Sequence, residues 1–287
     1  MKASMLRLWK WLNEKASSAA VRLTKWTGKS REPIHPKHLI GDPDHWWYVP
    51  MLRPTDMVLD VGCGNGVHTC CAASHCACAF GFDPDARQVS IGVRTAARSG
   101  QANVCFLIGS AEQTFPFPDK FFDRVLFLDV IEHLDRRDVA LREIHRVLKD
   151  DGLLLLAAPN RDTSWKKMQR DAGLFYYSDP DHRIEYTERE LREELSRNGF
   201  EVSQMLPVVL DTPWFGLIDL VGGLSLNVYR RLSRWKREQA RFRPSETTGF
   251  RVVCCKVAER HEPGEINNLQ LRRALVHKSG QLGRVEV

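Results

Sequence analysis

Four short stretches hold the residues best suited to binding and chemistry. The first is D-V-G-C-G-N-G, Asp60 to Gly66. Its glycines, Gly62, Gly64 and Gly66, permit positive φ and let backbone approach a ligand closely. The second ends in Asp83 and Pro84, and a carboxylate there can accept two hydrogen bonds from a ribose diol. The third is Gly109-Ser110-Ala111-Glu112, and the fourth is Asp129-Val130-Ile131-Glu132-His133. A dinucleotide fingerprint is spaced G-x-G-x-x-G. This turn is G-x-G-x-G, with no third glycine at the required place. The acidic surroundings suit a ligand bearing positive charge and an adenosine diol better than a pyrophosphate.

Two histidines are candidates for catalysis, because imidazole suits proton transfer near neutral pH. His133 lies four residues after Asp129, and His182 lies in a loop ahead of a late helix. The knot C-C-A-A-S-H-C-A-C, Cys70 to Cys78, raises the question of a metal. Zinc sites usually show two separated pairs of ligands with fixed internal spacing. Here there is one cluster, and it overlaps a helix and a strand. No metal is expected, and the thiols read as small buried apolar groups. Cys63, Cys105, Cys254 and Cys255 complete the set of eight, all expected to be reduced.

The elements that must position these residues alternate along the chain. Apolar runs at 57–61, 77–82, 104–108, 124–128 and 153–158 read as strands, each ending near one of the singled-out residues. Helical patterns at 67–74, 85–99 and 135–148 lie between them. Such alternation implies an α/β fold, with a mostly parallel sheet covered by helices on both faces. After a loop of about 25 residues, Thr187 and Glu190 form a capping box that opens a helix ending at Asn198-Gly199. A sixth strand at 201–210, an insertion at 211–248 and a seventh strand at 250–257 follow. Ligands of an open parallel sheet bind outside the carboxyl ends of the strands, near the reversal of strand order.

VLDVGCGNG (58–66), GFDPDA (81–86) and GSAEQTFPFPDKFFDRVLFLDVIEHL (109–134) resemble successive motifs of the small-molecule class I S-adenosylmethionine-dependent methyltransferases, in order and at normal spacing. HRIEYTERELREELSRNGFEV (182–202) is similar to that family's late helix and sixth strand. The resemblance covers about residues 55–205, and 250–257 more loosely. It implies a Rossmann-like sheet and S-adenosylmethionine as cofactor. Asp60, Gly62, Cys63, Gly64 and Gly66 would line its methionine part. Asp83, with Pro84 beside it, would hold the ribose hydroxyls. Ser110, Ala111 and Glu112 would flank the adenine, and Asp129 and Val130 would lie beside the sulfonium. Many relatives carry Asp at the position of Ser110, so either Ser110 or Glu112 would accept from the adenine amine. The family's E-H-L stretch often packs the start of the next helix, which is the structural alternative for His133. His182 has the alternative of an ordinary exposed histidine.

The chain has 287 residues, 43% of them hydrophobic, enough for one sizeable core. Charge is uneven: residues 1–31 carry +7, residues 230–287 carry +8, and the acidic middle offsets them to a net +6. Three parts are expected: a basic amphipathic segment at 1–31, a methyltransferase domain at 32–260 containing the 211–248 insertion, and a tail at 261–287. Met5, Trp9, Leu12, Ala16, Ala19, Leu23 and Trp26 recur at helical spacing among lysines and arginines. The insertion mixes Trp214, Phe215, Leu217, Ile218 and Leu220 with a following basic stretch. Both segments suit peripheral contact with an anionic membrane, or else packing on the domain. No secretory signal or spanning segment is read, so a cytoplasmic location, peripheral to the inner face of the membrane, is expected.

The expected reaction is methyl transfer to a small-molecule acceptor, a hydroxyl of a glycan, quinol or lipid-linked precursor. No N-P-P-Y or D-P-P-Y follows the fourth strand, and no sequence-specific nucleic-acid partner is expected. The competing readings are a nicotinamide-dependent oxidoreductase and a non-catalytic binding module that keeps the fold.

Overall fold

The computed structural model describes residues 3–41 and 43–257; the expected tail at 261–287 lies outside the described residues. Strand β1 (Met57–Val61) is followed by helix α2 (Val67–Ala73), α1 being Ala3–Trp26 at the chain start. Then come β2 (Cys78–Asp83), α3 (Ala86–Arg98), β3 (Val104–Ile108), β4 (Phe122–Leu128), α4 (Arg137–Val147) and β5 (Leu148–Pro159). Helix α5 (Ser164–Asp171), α6 (Glu188–Arg197), β6 (Phe200–Pro207), α7 (Phe215–Leu224), α8 (Leu226–Phe242) and β7 (Gly249–Lys256) complete the unit.

The strands form one seven-stranded sheet in the order β3-β2-β1-β4-β5-β7-β6. The pairs β1 with β2, β1 with β4, β2 with β3 and β4 with β5 are parallel, while β7 runs antiparallel to both β5 and β6. This is the expected Rossmann-like, mostly parallel sheet. Its apolar runs are buried on both faces, as parallel strands covered by helices require. Leu59, Val61, Phe82 and Phe127 pack on one side with Ile144 of α4. Val58, Ala79, Leu126 and Leu155 pack on the other with Tyr48. The strand order reverses between β1 and β4, so their carboxyl ends flank a crevice.

Two elements differ from the sequence reading. β5 begins at Leu148 rather than near Gly152. Leu148 pairs with Phe122, and the register then shifts so that Leu153 pairs with Arg124. The polar Lys149-Asp150-Asp151 bulge conceals this start. Gly152 is required there because a Cβ would lie 2.7 Å from Leu148 Cδ1. Helix α5 occupies part of the expected 25-residue loop. Its N-cap Thr163 accepts from the Lys166 N–H, a Thr-Ser-Trp-Lys start signal within a segment of weak apolar periodicity.

The insertion folds as α7 and α8, and α1 packs along α7. Gly216 and Gly223 let the two backbones touch. A Cβ at Gly216 would sit 2.1 Å from the Asn13 carbonyl oxygen, and one at Gly223 would sit 2.8 Å from Leu23 Cβ. Polar groups fix the contact: the Gly216 N–H donates to Asn13 Oδ1 at 3.0 Å, Ser17 Oγ to Asp219 Oδ2 at 2.8 Å, and Trp9 Nε1 to the Pro213 carbonyl at 2.8 Å. The inner face of α1 therefore belongs to an intramolecular interface. Gly216→Val should force the helices apart at a cost of about 1–3 kcal/mol or more, as overpacking does. A lower Tm and faster proteolysis of the 27–36 segment are expected; unchanged melting and cleavage would contradict this packing.

Candidate active site

The turn after β1 is held against the end of β2. The Gly62 and Cys63 N–H groups both donate to the Phe82 carbonyl at 2.9 Å. Asp83 Oδ2 accepts the Gly64 N–H at 2.9 Å, and Asp83 Oδ1 accepts the Asp85 N–H at 2.9 Å. One carboxylate thus joins two loops and stands at the mouth of the crevice, while the neighbouring Pro84 is exposed.

The three turn glycines have positive φ for different reasons. At Gly64 (φ +50) a Cβ would meet nothing within 4 Å, so this backbone borders open space. At Gly62 a Cβ would lie 2.6 Å from Val130 Cγ2, so the glycine lets the turns after β1 and β4 approach. At Gly66 it would lie 2.5 Å from the Phe106 ring and 2.9 Å from Gly92 Cα, which makes Gly66 a packing residue between α2 and α3. Cys63 is buried, its sulfur packed beneath Gly81. Asp60 is also buried and accepts from Thr69 Oγ1 at 2.6 Å. Burial, reinforced by Asp83, pushes the Asp60 carboxyl up to about 7 against the pull of the Thr69 bond.

Beyond β3 lies a cavity of about 220 Å³ walled by Phe82, Leu107, Ile108 and Phe115, with Ser110 at its rim. Apolar walls with a polar rim suit a flat heteroaromatic ring. Ala111 is buried next to it. Glu112 Oε1 accepts the Asp135 and Arg136 N–H groups at 2.8 and 2.6 Å. That oxygen tethers the chain ahead of α4, and Glu112 does not line the cavity, whose polar side chains are Ser110, Gln113 and Thr114. A larger, open depression between Arg192 and Arg197 lies on the outer surface of α6 and borders none of these residues.

Asp129 directly follows β4 with φ +55, a conformation that non-glycine residues rarely adopt. Its side chain opens to the crevice while protein crowds it elsewhere. This crowding pushes its carboxyl up, opposed by Lys37, Arg251, His182 and His133. A one-turn 3-10 helix, Ile131–His133, follows. It brings His133 against His182, with ring centroids 4.7 Å apart and edge to face. The Arg183 N–H donates to the Glu132 carbonyl at 2.7 Å, which seats the His182 loop on this turn. His182 Nδ1 lies 2.9 Å from Glu185 Oε1. The fully buried Glu185 also accepts from Lys166 Nζ at 2.5 Å and from the Ser178 N–H.

Glu132, Glu185 and Lys166 join this cluster; the sequence reading quoted Glu132 only as part of its stretch and did not single out the other two. The signals were a glutamate directly before His133 in I-E-H and another three residues after His182. Glu132 is 1% exposed and its Oε2 has no hydrogen-bond partner. Burial, then Asp129, pushes its carboxyl up to about 9. All eight cysteines are free thiols. Among the described residues, the one convergent group of three or more metal-ligating side chains is Glu132, His133 and His182, not the cysteine knot.

The buried Asp60 carries a pH signature. Its folded-state value lies above its ordinary 3.8. The folded chain therefore binds more protons than the unfolded one between that value and about 7, and this contribution to stability falls as pH rises across the window. The Tm advantage of Asp60→Asn over the parent should grow from about pH 5 to about pH 8. An advantage independent of pH would remove this account of Asp60.

Residues 59–156 match the methyltransferase-domain family model. An uncharacterised methyltransferase of Bacillus subtilis, YcgJ, is 38% identical over 105 residues, which are 36% of this chain and 41% of that protein. A probable S-adenosylmethionine-dependent methyltransferase of Mycolicibacterium smegmatis is 33% identical over 151 residues, 53% of this chain and 54% of that protein. The chain spans about half the length of the curated relatives it matches. In fold it is similar to crystalline YcgJ, at TM-score 0.51 and 22% identity over 74% of this chain and 95% of that one. It is also similar to the [4+2]-cyclase SpnF, at TM-score 0.55 and 22% identity over 75% and 81%. By the match over residues 59–156, with its motifs and strand order, that part of the chain is a class I S-adenosylmethionine-dependent methyltransferase domain.

Proposed function

We propose that this chain binds S-adenosylmethionine at the carboxyl ends of β1 to β4 and methylates a hydroxyl of a small-molecule acceptor, of the glycan, quinol or lipid-linked class. The observation that carries the reading is the open space at Gly64 beside the fixed Asp83 carboxylate, with the apolar cavity at Ser110 close by. An adenosine fits this arrangement: Asp83 retains lone pairs for a ribose diol, and the cavity takes a ring. Gly62, Cys63, Gly64 and Asp60 form or underlie the cradle for an amino-acid moiety. Val130 and Asp129 border the reacting centre. When bound, S-adenosylmethionine supplies a methyl group on a sulfonium.

The chain's part is to align the acceptor oxygen with that methyl, and positioning alone can supply about 7–11 kcal/mol. His133 and His182 are the groups that act on the acceptor hydroxyl. Lys37 and Arg251, close enough to influence Asp129, line the same side. SpnF is a cyclase on a similar fold, so the fold alone does not dictate methyl transfer. Support for it comes from the match at 59–156 and from the cradle.

The second part of the proposal is an anionic membrane surface as the working location. No helix among the described residues is long and apolar enough to cross a membrane. Helix α1, however, turns Met5, Leu8 (58% exposed), Trp11 (52%) and Leu12 to the outside, away from its contact with α7. Trp214 (53% exposed), just ahead of α7, packs edge-on against Trp9, so apolar surface continues from one helix to the next. Lys15 and Arg22 lie on the same helix, and α8 supplies a further run of arginines. Aromatic and aliphatic groups among cations are the pattern of interfacial helices. An acceptor dissolved in or tethered to the bilayer would then be delivered near the crevice.

Asp83→Ala should weaken S-adenosylmethionine binding by about 1.5–3 kcal/mol, the range for hydrogen bonds to a charged group. Gly64→Val should abolish binding, because its side chain enters the open space. Calorimetry on folded variants checks both, and parental affinity in either would move the cofactor elsewhere. Full-length chain should co-sediment with anionic but not neutral vesicles at low salt, and less at high salt, since each cation near the surface contributes about 1 kcal/mol. Protein left in the supernatant with anionic vesicles at low salt would end the membrane reading.

A further inference from the structure

Glu132, His133 and His182 each offer one ligating atom, and these atoms lie within 4.8 Å of one another. Proximity alone is weak, since polar groups often cluster at strand ends. Two independent features of this cluster point to a missing partner. Glu132 is almost completely buried, and its Oε2 has no hydrogen bond. A buried polar atom without a partner costs about 1–3 kcal/mol, and more when charged. The second feature is the tether on His182. Its Nδ1 faces Glu185 Oε1 at 2.9 Å, and that carboxylate is itself fixed by Lys166 Nζ and the Ser178 N–H. A carboxylate on Nδ1 holds the N–H there and leaves Nε2 as the basic nitrogen. This is the arrangement by which proteins orient an imidazole toward a cation.

We propose that Glu132, His133 and His182 hold one divalent transition-metal cation, bound by two imidazole nitrogens and one carboxylate oxygen. Two histidines and a glutamate leave coordination positions for water or a substrate oxygen, as in open catalytic sites. The sequence reading expected no metal because it weighed only the cysteine knot. The ligands identified here come from two loops joined by the hydrogen bond from the Arg183 N–H to the Glu132 carbonyl. Exposed His133 leaves the cluster reachable from the crevice, next to Asp129, while the His182 side chain is only 9% exposed.

The role of the cation rests on the proposed methyl transfer. The acceptor hydroxyl coordinates through oxygen, its pKa falls, and its proton passes to solvent water. The oxygen then forms a bond to the methyl carbon as the carbon–sulfur bond breaks. The products are a methyl ether, a neutral thioether and the released proton. The histidines thus act on the hydroxyl through the cation, as positioning ligands, rather than by taking the proton themselves.

Cobalt(II) is the probe, because its visible spectrum separates imidazole and carboxylate ligation from thiolate ligation. Full-length chain, stripped with a chelator, is titrated with Co2+ without S-adenosylmethionine, so the result is independent of cofactor binding. One equivalent should bind with visible d–d bands and no thiolate charge-transfer band. His133→Ala, at an exposed position, and the isosteric Glu132→Gln should each weaken Co2+ binding by roughly tenfold or more, with thermal unfolding as the check on folding. Absence of a nitrogen- and oxygen-ligated equivalent in the parent, or parental Co2+ affinity in folded His133→Ala, would overturn the proposal. A normal S-adenosylmethionine affinity alongside such a failure would leave the proposed function standing without the metal.

Discussion

Asp83 Oδ2 accepts the Gly64 N–H while Oδ1 accepts the Asp85 N–H, each at 2.9 Å. The turn after β1 and the start of α3 are therefore fixed to one carboxylate at the end of β2. The same turn is fixed a second time by two N–H groups on the Phe82 carbonyl. Because β1 is the centre of the parallel sheet, paired with β2 on one side and β4 on the other, the position of this turn sets the crevice. Gly62 against Val130 then passes that position on to the turn after β4. Asp83 is thus both scaffold and candidate ligand group, and its substitution acts on the shape of the cradle as well as on a hydrogen bond.

The side of the crevice that carries His133 and His182 depends on a different constraint. The loop carrying His182 is long, yet it is anchored at buried Glu185 by Lys166 from α5 and at Arg183 by the Glu132 carbonyl. A buried ion pair of this kind is weak evidence for net stability, because desolvation offsets much of the attraction. Its physical consequence here is placement: it carries one imidazole to another that follows β4. Breaking one partner would leave an uncompensated buried charge, which is strongly destabilising. Helices α1 and α7 form a third body of contacts, where small residues and buried Asp219 hold the N-terminal helix in place.

Local signals in the sequence carried much of this. The strands were readable as apolar runs, and Thr187 with Glu190 forms the capping box that its spacing implied. Gly199 ends α6 with φ +80, as the Asn-Gly signal implied. Long-range relations were hidden. Ser110 and Glu112 looked equivalent as partners for a ring, and only the fold turns Glu112 Oε1 to the chain ahead of α4. The three turn glycines looked alike, yet Gly66 serves helix packing while Gly64 borders open space. Helix α5 and the start of β5 lie in polar stretches whose burial is decided by distant partners. Pairing of His133 with His182 joins residues 49 apart in number, and no local pattern specifies that approach.

The central claim is that the crevice at the ends of β1 to β4 transfers a methyl group. The direct measurement is incubation of the purified chain with methyl-labelled S-adenosylmethionine and cell extract, separated into aqueous and lipid fractions. The account predicts time-dependent label in a discrete small-molecule product, in the lipid fraction for a quinol or lipid-linked acceptor and in the aqueous fraction for a glycan, with stoichiometric S-adenosylhomocysteine. Tight binding of the labelled cofactor without transfer to any fraction would contradict it and assign the fold to binding or to another reaction.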